Sequence, residues 1–201
     1  MLLNVSAPSP AFQNRLRWFI HAGSLAPLIW TAAGAFAGSL GANPIETITH
    51  RTGQCALIWL LLSLAVTPAR RFLDLPWLMR LRKSIGLWAF AYAALHFSTY
   101  VVLDHFFDMD RIVKDIVKRP FVTAGTAALV LLVPLAVTST AKWMQRLGKQ
   151  WSRLHRLTYP AALLGVVHYW WLVKADIRGP LVYAAALALL LGLRMLPHKN
   201  A

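Results

Sequence analysis

Residues 153–172 read RLHRLTYPAALLGVVHYWWL. The stretch is apolar and aromatic, yet it holds His155 and His168, with Arg156 the only charge between them. An apolar run of this length is a candidate membrane span, because roughly 20 mostly apolar residues cross the hydrocarbon core. An ionisable side chain inside such a span is costly unless partnered, so by default it marks function. What two imidazoles do there depends on the spans around them.

The composition supplies those spans. The 201 residues are 58% hydrophobic and 14% charged, with nine Trp, and the mean hydropathy is +0.52. A soluble domain is excluded in favour of a polytopic membrane protein. Apolar runs at about 18–38, 52–68, 84–103, 121–140, 155–173 and 180–197 predict an all-α membrane bundle of six transmembrane helices. Pro68, Pro120 and Pro180 are read as span ends, whereas Pro134 and Pro160 are internal and predict kinks. Residues 1–17 lack a basic start followed by an apolar core, so they read as a short cytoplasmic arm and not a signal peptide. No internal repeat stands out and no linker leads to a second domain, so residues 1–201 read as one membrane domain.

The net charge of +14 would suit nucleic acid, but its distribution argues otherwise. The basic residues form short clusters between apolar runs, without zinc-finger spacing or a long basic helix. With the N-terminus inside, the inner segments carry 14 basic residues against one acid, Asp74, and the outer segments seven against six. Basic residues concentrate in cytoplasmic loops, so both termini are expected inside. The single cysteine, Cys55, excludes an intrachain disulfide and a CxxC site. The loop 104–120, DHFFDMDRIVKDIVKRP, is the largest outer segment. It is amphipathic enough for a short interfacial helix and large enough to dock a partner.

Of the seven histidines, His198, His105 and His50 read as solvated or interfacial, and His21 as a hydrogen-bonded helix-end residue. His96 lies deep in the third run, in its outer half. His168 lies about 20 Å beyond His155 at 1.5 Å per residue, level with His96 on the opposing helix. Ala93 and Ala89 precede His96 by three and seven residues, and Gly165 and Ala161 precede His168 likewise. Each imidazole therefore has a slot of small side chains beside it. Two histidines at one depth suit the axial positions of a heme iron; a structural histidine pair is the alternative. A bare metal ion would need further ligands, and no Cys or carboxylate lies at that depth. At the inner end, Arg82 and Lys83 share the depth of His155. Arg82 can meet a propionate or a phosphate, or simply supply positive-inside charge. An ideal helix places His155 and His168 about 140° apart. Either the helix is distorted near Pro160 or Gly165, or the two face different neighbours.

The segments HAGSLAPLIW, GANPIETITHRTGQCAL, VTPARR, GLWAFAYAALHFSTYVVLD and LGKQWSRLHRLTYPAALLGVVHYWWLVK resemble the MsrQ (YedZ) family of ferric-reductase-like transmembrane proteins, in the same order and over nearly the whole chain. The resemblance implies a multi-pass b-type cytochrome of the bacterial inner membrane. It would pass electrons from quinol or a cytoplasmic flavin reductase to the periplasmic molybdoenzyme MsrP, which repairs methionine sulfoxide in envelope proteins. It also implies heme b and FMN, with the family's heme histidines falling on His96, His155 and His168. Larger relatives pair four histidines around two hemes. Here Arg82 or Lys83 stands where the fourth would be, so His155 is either a second-heme ligand or part of a flavin or quinone site. No flavin-reductase domain is read in the chain, so the electrons come from another protein or from quinol. Two rivals remain: a heme protein of this kind with another acceptor, and a transporter bundle whose histidines pack or relay protons.

Overall fold

The computed structural model describes residues 8–173 and 175–196. Helix α1, Pro10–Phe36, opens on a cap: the Ser9 hydroxyl accepts from the Phe12 amide at 3.3 Å, and Pro10 takes the first helical position. Residues 10–17 therefore belong to the first helix and not to an arm. Hydropathy registers where the chain turns apolar, whereas the cap decides where the helix begins. Residues 1–7 of the expected arm, and His198, lie outside the described residues.

Helix α2 runs Pro44–Leu73. Asn43 accepts from the Glu46 amide at 3.2 Å and starts it; Asp74, at φ 52°, ends it in the left-handed conformation. The helix is far longer than the apolar run 52–68. His50 thus lies within it, and Pro68 is interior and buried, not terminal. Helix α3, Met79–Thr99, continues into a wider π-type turn at Tyr100–Asp104. Helix α4, Met109–Lys118, is the short amphipathic helix expected in the outer loop, capped by Asp108. Ile112 on it is buried, while Met109, Val113 and Val117 are exposed.

Helix α5 spans Pro120–Val137. Two short helices follow, α6 (Ala141–Leu147) and α7 (Lys149–Leu154), then a single 3₁₀ turn at His155–Leu157. Helix α8 runs Thr158–Leu172 and α9 Arg178–Met195. Pro160 sits in the first turn of α8, where a missing N–H costs nothing, so it does not kink the helix. Among the described residues there is no strand.

Among the described residues five segments are long and apolar enough to cross a membrane: Pro10–Phe36, Pro44–Leu73, Pro76–Asp104, Pro120–Val137 and Arg178–Met195. The remaining run, read as 155–173, forms the 3₁₀ turn plus the 15 residues of α8. At 1.5 Å per residue α8 is about 22 Å long, less than the ~30 Å hydrocarbon core. Helices α2, α3, α5 and α8 pack together, with α1 and α9 against them. Their core includes Leu57, Leu64, Ala89, Leu132, Ala161 and Val166.

The distribution of side chains on α1 is inverted relative to a soluble protein. Its buried residues are Gln13, Ser24 and Thr31, while Trp18, Phe19, Ile29 and Trp30 are 65–75% exposed. In lipid, polar groups must find partners inside the protein and apolar ones need none. Gln13 accepts from Arg80 at 2.5 Å, the Ser24 hydroxyl donates to the Ile20 carbonyl at 2.7 Å, and Tyr92 donates to the Ser24 carbonyl. The molecule is a multi-pass helical membrane protein.

Candidate functional site

His96, near the end of α3, and His168, near the end of α8, face each other with ring centroids 6.0 Å apart and planes at 73°. Each ring is fixed through Nδ1. That of His96 lies 2.9 Å from the Thr49 carbonyl of α2, and that of His168 lies 2.6 Å from the Phe121 carbonyl of α5. A carbonyl only accepts, so both Nδ1 atoms carry the proton. Nε2 is then the nitrogen with a free lone pair on each ring, the arrangement that orients a metal-ligating imidazole. Thr99 donates to the His96 carbonyl at 2.7 Å and lies 3.2 Å from the Thr49 hydroxyl, tying the end of α3 to α2.

Both rings line one cavity of about 750 Å³, within the range of roughly 300–1,000 Å³ usual for cofactor sites. Ala93, Gly165 and Ala161 also line it, so three of the four small residues singled out do leave space beside the rings. Ala89 packs into the core instead. At one end the lining becomes polar, with Glu46, His50, Asp104, His105 and Arg119. His105 and Arg119 both approach Asp115 of α4, at 3.5 and 3.3 Å, which holds that helix over this rim.

The residues fit a heme. Two imidazoles on opposite sides of one metal, with bonds of about 2.0–2.1 Å, place their centroids roughly 6 Å apart. The cavity beside them is mostly apolar, and among the described residues no cluster of three His, Cys, Asp or Glu offers a bare metal ion a fuller ligand set.

The structure brings His96 and His168 together and leaves His155 apart, at the far end of α8. Its Nε2 lies 3.1 Å from the Thr138 hydroxyl. That hydroxyl donates its one proton to the Pro134 carbonyl at 2.6 Å, so it accepts from His155. Trp151 stacks on the ring at 3.9 Å and 27°, and its indole N–H donates to the Thr138 carbonyl at 2.9 Å. The angular gap between the two histidines narrows before Pro160, to about 80°. Each residue of the 3₁₀ turn advances about 120° and not 100°, which narrows the gap by roughly 60°. Both histidines thereby meet the same neighbour: His168 the start of α5, His155 its end.

Arg82 is half-buried and within electrostatic reach of His155, Arg194 and Tyr159. Lys83 is exposed. Sequence reasoning counted Arg194 only as positive-inside charge. In the structure it donates to the Tyr159 hydroxyl and to the Leu64 carbonyl, both at 2.5 Å. Also missed were Gly53 and Gly125, against which the two cavity imidazoles rest. The available signal was a glycine inside an apolar run on a helix neighbouring each histidine.

Residues 52–166, more than half of the chain, match the model of the ferric reductase like transmembrane component family. A protein of Rhodospirillum rubrum is 52% identical over 179 residues, covering 89% of this chain and 86% of its own. One of Caulobacter vibrioides is 52% identical over 185 residues, 92% and 88%, and one of Herminiimonas arsenicoxydans 46% over 191 residues, 94% and 88%. All three are named protein-methionine-sulfoxide reductase heme-binding subunit MsrQ. The chain belongs to the MsrQ family. No solved structure matches it. The matched region of this MsrQ-family chain opens one residue before Gly53 and closes two before His168, so it covers most of α2, all of α3 and α5, and just over half of α8.

Proposed function

We propose that this chain is the heme-binding membrane subunit of a methionine sulfoxide reductase system, holding one heme b between His96 and His168. The observation that carries the reading is the pair of imidazoles with both Nδ1 atoms bonded to backbone carbonyls and centroids 6.0 Å apart. The names of its relatives and the ferric-reductase-like family support it. Bound heme would supply reversible one-electron exchange; the chain supplies placement and tuning. His96 and His168 present Nε2, the apolar walls exclude water, and α4 with Arg119 forms the outer rim.

The proposed setting is the bacterial inner membrane, with α8 and its 3₁₀ turn as the sixth span and both termini in the cytoplasm. The acceptor is then a periplasmic molybdenum-containing MsrP, docking at the rim near α4. The donor is the quinone pool or a cytoplasmic flavin reductase, engaging the inner cluster of Arg82, Lys83 and His155. Arg82 and Arg194 both belong to that end, within electrostatic reach of each other. A guanidinium recognises phosphate well, which makes this the proposed FMN or donor site. His155 belongs to that end, and its ring contributes to an inner cofactor rather than to the His96–His168 centre.

Purified protein tests the reading directly. A pyridine hemochrome assay should return heme b at one per chain, and dithionite should give a low-spin b-type spectrum. A colourless protein would overturn the redox reading in favour of a packing or proton-relay bundle. If heme is present but the reduced protein does not transfer electrons to MsrP, a ferric-reductase-like protein with another acceptor is the better reading.

A further inference from the structure

The two histidines are held by the same device, repeated. Each accepting carbonyl precedes its histidine by 47 residues, Thr49 to His96 and Phe121 to His168. An offset of 72 residues carries His96 onto His168, Ala93 onto Gly165 and Gly53 onto Gly125. It also aligns GQCALIWL at 53–60 with GTAALVLL at 125–132, where Gly, Ala, Leu and Leu coincide and all face the cavity. No repeat stands out on first reading because the identities fall on one helix face. The hairpin α2–α3 and the hairpin α5–α8 are thus two copies of one unit. They run in the same direction, as repeats related by an axis along the membrane normal do. The same offset carries Lys83 onto His155, so Lys83, and not Arg82, is the counterpart of His155. The repeat is kept around the cavity and broken at the other end.

Within the kept half, the glycines have a specific task. A Cβ on Gly53 would lie 3.0 Å from Cε1 and 3.1 Å from Nδ1 of His96. One on Gly125 would lie 2.7 Å from Nδ1 and 3.0 Å from Cε1 of His168. The 2.7 Å contact at Gly125 requires something to move, and the 3.0–3.1 Å contacts at Gly53 require their neighbour to give by a few tenths of an ångström; at both, the ring is the movable part. It would shift off the carbonyl that fixes its tautomer. By contrast, a Cβ on Gly86 or Gly192 meets nothing within 4 Å. We infer that Gly53 and Gly125 are a symmetry-related pair of positioning residues: the bare backbone at each lets the imidazole of the adjoining helix lie against it, donate from Nδ1 to the carbonyl four residues earlier and keep Nε2 for the metal. This rests on the heme reading above.

The test compares Gly53→Ala, Gly125→Ala, Gly86→Ala and Gly192→Ala by heme content, low-spin absorption and midpoint potential of the purified proteins. Gly125→Ala is expected to lose the low-spin spectrum and Gly53→Ala to lose less of it or shift its potential, with both controls at wild-type values. Wild-type spectra and potentials in both cavity variants would overturn the inference and leave the heme reading intact; a wild type without heme would overturn the heme reading first. Damage to the fold is separated by His168→Gly, in which added free imidazole restores the low-spin spectrum. In the double variant Gly125→Ala/His168→Gly, untethered imidazole can seat itself around the new methyl group, so rescue equal to that of His168→Gly supports positioning. Rescue of the single variant but not of the double one would show that the alanine breaks the bundle and would overturn the inference.

Discussion

At the scale of single residues, the site turns on which nitrogen of each histidine is occupied. His96 and His168 each use Nδ1 on a carbonyl, whereas the cavity's other two histidines, His50 and His105, stand with its polar residues, His105 3.5 Å from Asp115. His168→Ala is therefore expected to lose the low-spin heme spectrum, and His96→Ala to match it. Six-coordinate low-spin absorption retained in either variant would refute the pairing. His155 uses Nε2 on Thr138, a different role at a different place. Arg82→Ala and His155→Ala are expected to keep wild-type heme content while slowing reduction by a flavin donor, measured by stopped-flow absorbance. Unchanged reduction rates in both would reduce the inner cluster to topological charge and a helix-end histidine. The pair His96 and His168 could be read from sequence, because an imidazole in an apolar run is conspicuous. Its carbonyl partners could not, since every residue carries a carbonyl and only packing selects one.

At the scale of elements, apolar runs located the helices but not their ends. α1 and α2 start at the Ser9 and Asn43 caps, well before the chain turns apolar. Helix α8 is re-aimed by the turn at His155–Leu157, a feature for which periodicity has no term. Helix α1 is joined to α3 by polar contacts in an otherwise apolar setting. Trp88 donates to Nδ1 of His21 at 2.9 Å, and Tyr92, 1% exposed, donates to the Ser24 carbonyl. Such a bond contributes about 0.5–1.5 kcal/mol net, and interhelical bonds in membranes average near the lower end, about 0.6 kcal/mol. Tyr92→Phe is expected to lower the thermal unfolding midpoint of the detergent-solubilised protein by about 1–2 °C, the shift that loss gives in a chain of this size, without changing the heme spectrum. An unchanged midpoint would show that the Tyr92 bond adds nothing measurable to the docking of α1 on α3.

At the scale of the whole molecule, the charge distribution and the site make one joint prediction. The segments proposed as inner hold 14 basic residues against one acid, so the proposed orientation has the Arg82 and His155 end in the cytoplasm and the α4 rim outside. A fusion at Ala201 is expected to be active with a cytoplasmic reporter and inactive with periplasmic alkaline phosphatase. Phosphatase activity there would invert the bundle and place the rim of Glu46, His50 and Arg119 on the wrong side for a periplasmic acceptor.

The sequence by itself determined that this is a helical membrane protein, where most of its spans lie, and that His96 and His168 sit at one depth. These follow from hydropathy and rise per residue, which are local and additive along the chain. Only the tertiary structure decided that the two rings meet at 6.0 Å, that His155 turns to Thr138, that Arg194 reaches Tyr159 and Leu64, and that Gly53 and Gly125 make room for the imidazoles. It also brought out the 72-residue repeat, by showing which scattered identities share one wall. Each of these depends on the azimuth of one helix against another. That angle is set by side-chain packing between segments tens of residues apart, and no window along the chain contains it.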